Sequence, residues 1–462
     1  MSIKRPFFCG IGGSGMLPLA MYLREQGLPV EGSDRAIDQG RADDLKKHLT
    51  AAGIGIYPQD GSGLRSSEQT LVTSSAVEAT IPDVVAAQTI GAPHIIRAEL
   101  LSDLCNSAPV SAGIAGTSGK STTTAMLAWI LDQAGMNPGV VNGAPMLNAF
   151  GESDEPQGWR SGSGPFVCEV DESDGSIARY NPSVGVVLNV SEDHKPIAEL
   201  KALFGGYAER SEHVVIGLDS DVSRAIAESL PKGKVTTVSL KLAADLVATD
   251  VAGDEAGVSA EVRTRDGSKY TLRMPIVGEF NIGNALAAIA AAQRLGVSVP
   301  DAVAALSMFR GTARRLQLVG VARGVAVIDD FAHNPDKISA SIGVLTKRYK
   351  RLRLFYQPHG YGPLASFRDL YEEAFAKSLR PVDSFSISKP AFFGGTVTKT
   401  ADAEVLASNL SSRGLTVTYT EERSAFLDTV SQSEKGDAVV IMGARDNSLT
   451  TLAQSALAVL ER

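Results

Sequence analysis

The chain of 462 residues is poor in several things that would commit it to a class. Its three cysteines, Cys9, Cys105 and Cys168, are odd in number and far apart. Neither a disulfide framework nor a zinc spacing can be read from them, and a reducing, cytoplasmic setting is expected. No run of about 18 apolar residues exists, the length a spanning helix needs, so no membrane is expected as a partner. Positive charge is not in excess: the net charge is -8 and the isoelectric point near 5.4. That leaves no basic surface for nucleic acid. The opening "MSIKRPFFCGIGGSG" reaches a glycine turn at once and lacks a signal peptide's apolar core. Internal repeats and low-complexity tracts are also missing.

Glycine, in contrast, is plentiful, with 45 residues. The length exceeds what one core sustains, so several domains are expected. "FFCGIGGSG" is a short apolar strand entering Gly10-x-Gly12-x-x-Gly15, and "MLPLAMYLREQG" reads as the helix that follows. "PVEGSD" reads as a second strand ending at Asp34. This βαβ start suits any pyrophosphate, that of a nicotinamide or flavin dinucleotide or of a UDP-sugar. "TLVTSSAV" is a later strand with a polar end.

"GIAGTSGKSTTTAML" repeats the arrangement with a cation in it. Backbone N–H groups of Gly116, Thr117, Ser118 and Gly119 would cradle phosphates. Lys120 would neutralise them, and the Ser121 or Thr122 hydroxyl would meet Mg²⁺. "PFVCEVDESD" and "SVGVVLNVSEDH" are buried-strand runs. Their ends carry Glu169, Asp171, Glu172, Asp174 and His194: a second metal site or a solvated acidic turn. "GVSAEVRTRDGSKYTLRMP" alternates as a hairpin, and "FNIGNALAAIAAAQRLG" is an alanine-rich helix headed by Asn281 and Asn284. Beyond Gly311 the strands "VAVIDDF", "RLRLFYQP", "DSFSIS", "LTVTYT" and "DAVVIMGA" alternate with helices, which predicts a further doubly wound parallel sheet. Asp329, Asp330, His333 and His359 fall at or beyond its strand ends.

In this order, "GIGGSGM", "GSD", "SSAV", "RAELLSDL", "GTSGKSTTT", "EVDESD", "DH", "FNIGNALAA", "RRLQ", "DDFAHNP" and "YQPH" make the whole chain resemble the Mur ligases of peptidoglycan synthesis. "RAELLSDL" with "EVDESDGS" is most similar to the branch that uses L-alanine. The resemblance implies an α/β protein of three domains. These are a Rossmann-like UDP-sugar domain over residues 1–107, a central P-loop-type ATP-binding domain over 108–312 and a Rossmann-like C-terminal domain over 313–462. It implies ATP and two Mg²⁺ ions as cofactors, UDP-N-acetylmuramate with an amino acid or peptide as partners, and a monomer or weak dimer. It places Gly12, Gly13, Ser14, Gly15, Asp34, Ser74, Ser75, Asp171, Glu172, Ser173 and His359 on the substrates. Gly116, Thr117, Gly119, Lys120, Ser121, Thr122, Asn284, Arg315, Asp329 and Asp330 hold the nucleotide, and Ser121, Glu169 and His194 the metals. Lys120, Glu169, His194 and His333 are the catalytic set.

The implied chemistry is amide formation: a lactyl carboxylate is activated as an acyl phosphate and captured by an amine. The family's "FQPHRYTR" is "YQPHGYGP" here, with Gly360 and Pro363 where arginines stand, and "DHMD" is "DHKP". Arg368 and Lys389 are the candidate replacements for those arginines. The alternatives are a recycling ligase that takes a tripeptide, a paralogue with another amine, a nicotinamide-dependent dehydrogenase and a non-catalytic nucleotide-binding protein.

Overall fold

The computed structural model describes residues 3–150, 155–191, 196–254, 257–391, 402–444, 446 and 448–462. The chain divides into two compact units. One comprises Met1–Val251, Ser259–Met274 and Phe280–Arg310; the other comprises Ala252–Val258, Pro275–Glu279 and Gly311–Arg462.

The first unit opens with a five-stranded parallel sheet, ordered Gly55–Tyr57, Glu31–Ser33, Arg5–Cys9, Gln69–Thr73, His94–Ile96. The strand Arg5–Cys9 is central, and the chain runs from it first to one side and then to the other. Its carboxyl end is therefore the switch point, where open α/β sheets leave a crevice. Phe7, Phe8 and Leu71 are fully buried, which is why this run of apolar residues forms interior strands rather than an edge.

A ten-stranded sheet follows, in the order Lys269–Met274, Gly257–Thr264, Leu246–Asp254, Val235–Ser239, His213–Gly217, Val184–Val187, Ser111–Ala115, Phe166–Glu169, Gly139–Met146, Gln157–Arg160. Ser111–Ala115 runs parallel to both neighbours, with Ile114 opposite Glu169 and Ala115 opposite Val187. Three carboxyl ends therefore meet at one place. The helix Lys120–Gln133 packs against the helix Phe280–Arg294, whose alanines 285, 287, 288, 290, 291 and 292 are buried. Small side chains let the two axes approach closely.

The second unit holds a six-stranded sheet ordered Gln317–Ala322, Val325–Asp330, Ala438–Gly443, Leu352–Gln357, Ser384–Ser388, Thr416–Thr420. All its pairings are parallel except that of Gln317–Ala322 with Val325–Asp330. Three strands depart from the expected pattern. Gly139–Met146 and Gln157–Arg160 form an antiparallel edge interrupted by a register shift, and Gln317–Ala322 carries another shift at Gly320. Bulges break the period-two alternation by which strands are recognised. Asp34 is not the last residue of its strand. Glu31–Ser33 ends one residue earlier, and Asp34 caps the short helix Arg35–Asp38 through Ala36 N–H at 2.8 Å.

Candidate active site

The connection from Ser111–Ala115 to Lys120–Gln133 is four residues long. Gly116 (φ +151°) and Gly119 (φ +90°) adopt backbone conformations that side chains resist. A Cβ on Gly119 would stand 2.4 Å from Asn284 Oδ1, and one on Gly116 2.9 Å from Leu188 Cβ. The loop is fastened to Asn189, just past the neighbouring strand. Thr117 N–H donates to the Asn189 carbonyl (3.1 Å) and Ser118 N–H to Asn189 Oδ1 (3.0 Å), while Asn189 Nδ2 donates back to the Ser118 carbonyl (2.9 Å). Lys120 Nζ donates to the Gly116 carbonyl at 2.7 Å and to Glu172 Oε2 at 2.9 Å. Both partners of this ion pair are largely buried. Ser121 is buried beside it, with its carbonyl accepting from Asn142 Nδ2; Thr122 is half-buried. Asn284 donates to Asn281 Oδ1 at 2.9 Å, so the two asparagines stand together rather than capping their helix separately.

The acidic run separates into distinct roles. Glu169 Oε1 accepts from Gly143 N–H at 2.6 Å, and Oε2 has no hydrogen-bond partner among the described residues. Asp171 accepts from Ser173 N–H and Asp174 from Ser176 N–H, which makes them the internal braces of the turn. Burial pushes the Asp171 carboxyl up, but Ser173 N–H together with the Lys120 and Arg97 charges outweighs it and holds the group below its ordinary range. Glu172 turns to Lys120. No cluster of three or more His, Cys, Asp or Glu side chains poised for a metal occurs among the described residues, and His194 lies outside them. The donors present do suit Mg²⁺, a hard cation that takes carboxylate and hydroxyl oxygens: the open Glu169 oxygen and the Ser121 hydroxyl.

At the first glycine loop Asp34 does double duty. Its Oδ2 accepts from Gly12 N–H at 2.9 Å while Oδ1 caps the next helix. Gly10 and Ile11 N–H both donate to the Ser33 carbonyl, and Gly13 N–H to the Gly10 carbonyl. Ser14 is exposed at the loop tip, and Ser74 and Ser75 follow the adjacent strand's carboxyl end. Gly15 lies against Arg97: a Cβ there would be 3.2 Å from Arg97 Cδ and 3.3 Å from its Nε.

In the second unit Arg314 (φ +56°) is buried. Its Nε donates to Asp329 Oδ1 at 3.1 Å and its Nη1 to the Ala444 carbonyl at 2.8 Å. Thr450 Oγ1 donates to the other Asp329 oxygen (2.7 Å), and Asp330 accepts from Leu316 N–H and Ser341 Oγ. Both carboxylates therefore lie beneath the turn that carries Arg315, and burial pushes both up in pKa. Arg315 stands over the Phe331 ring at 5.5 Å, and the rings of His333 and His359 are 5.3 Å apart. His333 Nδ1–H donates to the Phe331 carbonyl at 2.9 Å. Burial, with Lys337, His359 and Arg315 nearby, lowers its pKa to about 4 despite that contact.

Asn189, Asn142, Gly143, Arg97 and Arg314 were not anticipated as parts of these sites. Asn189 sits just past an apolar run, "VGVVLNV", where a polar residue signals a strand end; Arg97 and Arg314 open the stretches "RAELLSDL" and "RRLQ", in which neither has a role of its own, and Asn142 and Gly143 carry no local signal.

Three family models cover the chain in order: the Mur ligase family catalytic domain over residues 7–108, the Mur ligase middle domain over 114–292 and the Mur ligase glutamate ligase domain over 314–445. A UDP-N-acetylmuramate–L-alanine ligase of Geotalea uraniireducens is 33% identical over 96% of this chain and 95% of its own length. One from Thermosynechococcus vestitus is 32% identical over 84% and 83%. Among solved structures, a UDP-N-acetylmuramate–alanine ligase from Thermotoga maritima superposes with a TM-score of 0.79 at 22% identity over 98% of both chains. A murein peptide ligase from Psychrobacter arcticus gives 0.66 at 24% identity over 99% of both. Three matched segments spanning most of the residues, in the order the motifs run, make this chain a member of the Mur ligase family.

Proposed function

We propose that the chain is an ATP-dependent ligase that joins L-alanine to UDP-N-acetylmuramate in peptidoglycan precursor synthesis. The observation that carries the reading is the meeting of Lys120, Glu172 and Glu169 at adjacent strand ends, around a loop of backbone amides. Such a site is built to neutralise and orient oxygen anions. A carboxylate cannot expel oxide, so the lactyl carboxylate attacks the γ-phosphorus and ADP leaves. The amine then attacks the acyl carbon, and phosphate leaves with its bonding pair. Lys120 exchanges Glu172 for the β- and γ-phosphate oxygens. The Ser121 hydroxyl and Glu169, together with His194, would hold Mg²⁺, whose charge would offset the repulsion between carboxylate and triphosphate. Asn284 meets the adenine, and Arg315, supported from below by Asp329 and Asp330, meets the nucleotide. Asp34 shapes the loop that receives the UDP group. ADP release measured with UDP-N-acetylmuramate and a panel of amines tests the reading; no release with any amine rejects it.

The amine's carboxylate needs a cation, and Gly360 and Pro363 supply none. Of the two candidates, Arg368 Nη1 already donates to Asp402 Oδ1 at 2.9 Å, whereas Lys389 is exposed and makes no ion pair with a described residue. That supports Lys389 for the contact. Faster ADP release with L-alanyl-γ-D-glutamyl-meso-diaminopimelate than with L-alanine replaces this reading by tripeptide recycling.

A further inference from the structure

Arg97 opens the helix Arg97–Ser107. That helix is held at several points. Ile96 N–H donates to Glu99 Oε2 (3.1 Å), Glu99 pairs with Arg179, Asn106 Nδ2 donates to the Arg179 carbonyl (2.8 Å) and Asn181 N–H to Asn106 Oδ1 (2.8 Å). Arg179 and Asn181 follow the acidic turn of the central sheet, so the helix start is fixed between the two sheets of the first unit. From there the Arg97 side chain runs over Gly15, whose missing Cβ makes room for the guanidinium stem. Its charge reaches the Asp171 carboxyl at the neighbouring strand end. No hydrogen bond or ion pair joins the guanidinium to another described residue, although it is half-buried. Guanidinium carries five N–H donors in a rigid fork that matches phosphate, and burying it unpaired is costly. The loop beneath turns its Gly10 and Gly13 carbonyls to its own amides, and none of its acceptors bonds the guanidinium.

We infer that Arg97 is the cation of the first glycine loop and binds the pyrophosphate of the nucleotide sugar. The inference rests on the ligase reading for the identity of that ligand. Lys120 serves the triphosphate from the helix that its own loop begins. The first loop is followed by Met16, and its cation comes instead from a helix later in the chain.

Calorimetric titration of the full chain without ATP tests this, with UDP-N-acetylmuramate, UDP and uridine as ligands. Arg97→Ala and Arg97→Gln should each weaken UDP-N-acetylmuramate and UDP by about ten- to a hundredfold, the worth of a charge-assisted contact, and leave uridine unchanged. Arg97→Lys should recover part of the loss. ATP titrated into the same variants should bind as in the parent, which shows that the first unit is folded. Unchanged UDP affinity in Arg97→Gln overturns the inference. So does a loss confined to UDP-N-acetylmuramate, because the arginine would then meet the lactyl carboxylate. A parent protein that binds neither uridine nucleotide overturns the ligase reading instead.

Discussion

The two glycine loops begin alike, each joining a buried parallel strand to a helix, and then solve the same problem in opposite ways. The first closes on itself. Asp34 takes Gly12 N–H, the Gly10 carbonyl takes Gly13 N–H, and the helix starts at Met16. The second is open on its inner side. Asn189 fastens it from a neighbouring strand end, and the helix starts with Lys120, already in an ion pair. A strand–glycine–helix turn therefore specifies a concave, amide-lined surface and little else. What enters it depends on the residue that fastens the loop and on where the cation comes from.

The sharpest break of this comparison is Lys120→Ala. It should abolish ADP formation, a loss of about 3 kcal/mol or more and so roughly a hundredfold or greater in rate, with the far-UV spectrum unchanged. Near-normal turnover would mean that the second loop does not depend on the cation that its own helix brings. The fasteners come next. Asn189→Ala removes two side-chain hydrogen bonds from the second loop, and Asp34→Ala removes two from the first and its following helix. At about 1 kcal/mol per bond each should weaken its own ligand roughly ten- to thirtyfold, ATP in one case and UDP-N-acetylmuramate in the other. Cross-effects, with each variant weakening both ligands equally, would say that the loops are not separate sites.

Glu172→Gln should lower the melting temperature of the ligand-free protein, because it leaves a buried lysine without its counter-charge. The rise in melting temperature on adding ATP should then exceed the parent's, since the triphosphate no longer displaces a carboxylate. An unchanged ATP shift would detach Glu172 from the nucleotide.

The smallest effect is a difference of sign. Asp171, beside the second loop, is held below the ordinary value of 3.8 by its partners; Asp83, beneath the first, is raised above it by burial, although the Ser33 hydroxyl and Gly61 N–H donate to it. The stability that Asp171 contributes is present above pH 3.8 and fades as the pH falls through its folded pKa. Folded Asp83 instead keeps its proton longer than the unfolded chain does, so its contribution declines as the pH rises from 3.8. Asp171→Asn should therefore cost more at pH 7 than at pH 4, and Asp83→Asn less, as read from urea midpoints. Parallel slopes would refute the contrast.

The parts legible in sequence are those that a short stretch encodes by itself. Both glycine loops, the acidic strand end and the hairpin at Arg265–Ser268 are local patterns, and their residues stand where the strands and helices were expected. The turn Thr264–Ser268 closes through Thr264 N–H to the Ser268 carbonyl at 3.0 Å. What stayed hidden works across the fold. Asn189 acts on a loop reached only through strand pairing, Gly143 N–H meets Glu169 from the adjacent strand, and Arg314 binds a carboxylate from one strand and carbonyls at the end of another. The sequence pattern carries the second strand on to Asp34, one residue past its end at Ser33, because Asp suits a strand end and a helix cap equally well. His194 is marked by its place at the end of "SVGVVLNVSEDH" as well as by the family resemblance, and it lies outside the described residues.

The Lys120–Glu172 pair has one more consequence. An empty phosphate site with a bare lysine would gather anions from solution and give them up when nucleotide arrives, so its affinity would fall with added salt. Here the displaced counter-ion is covalently part of the chain and returns nothing to the bulk. The exchange of carboxylate for phosphate is internal, and nucleotide affinity at this lysine should vary little with ionic strength.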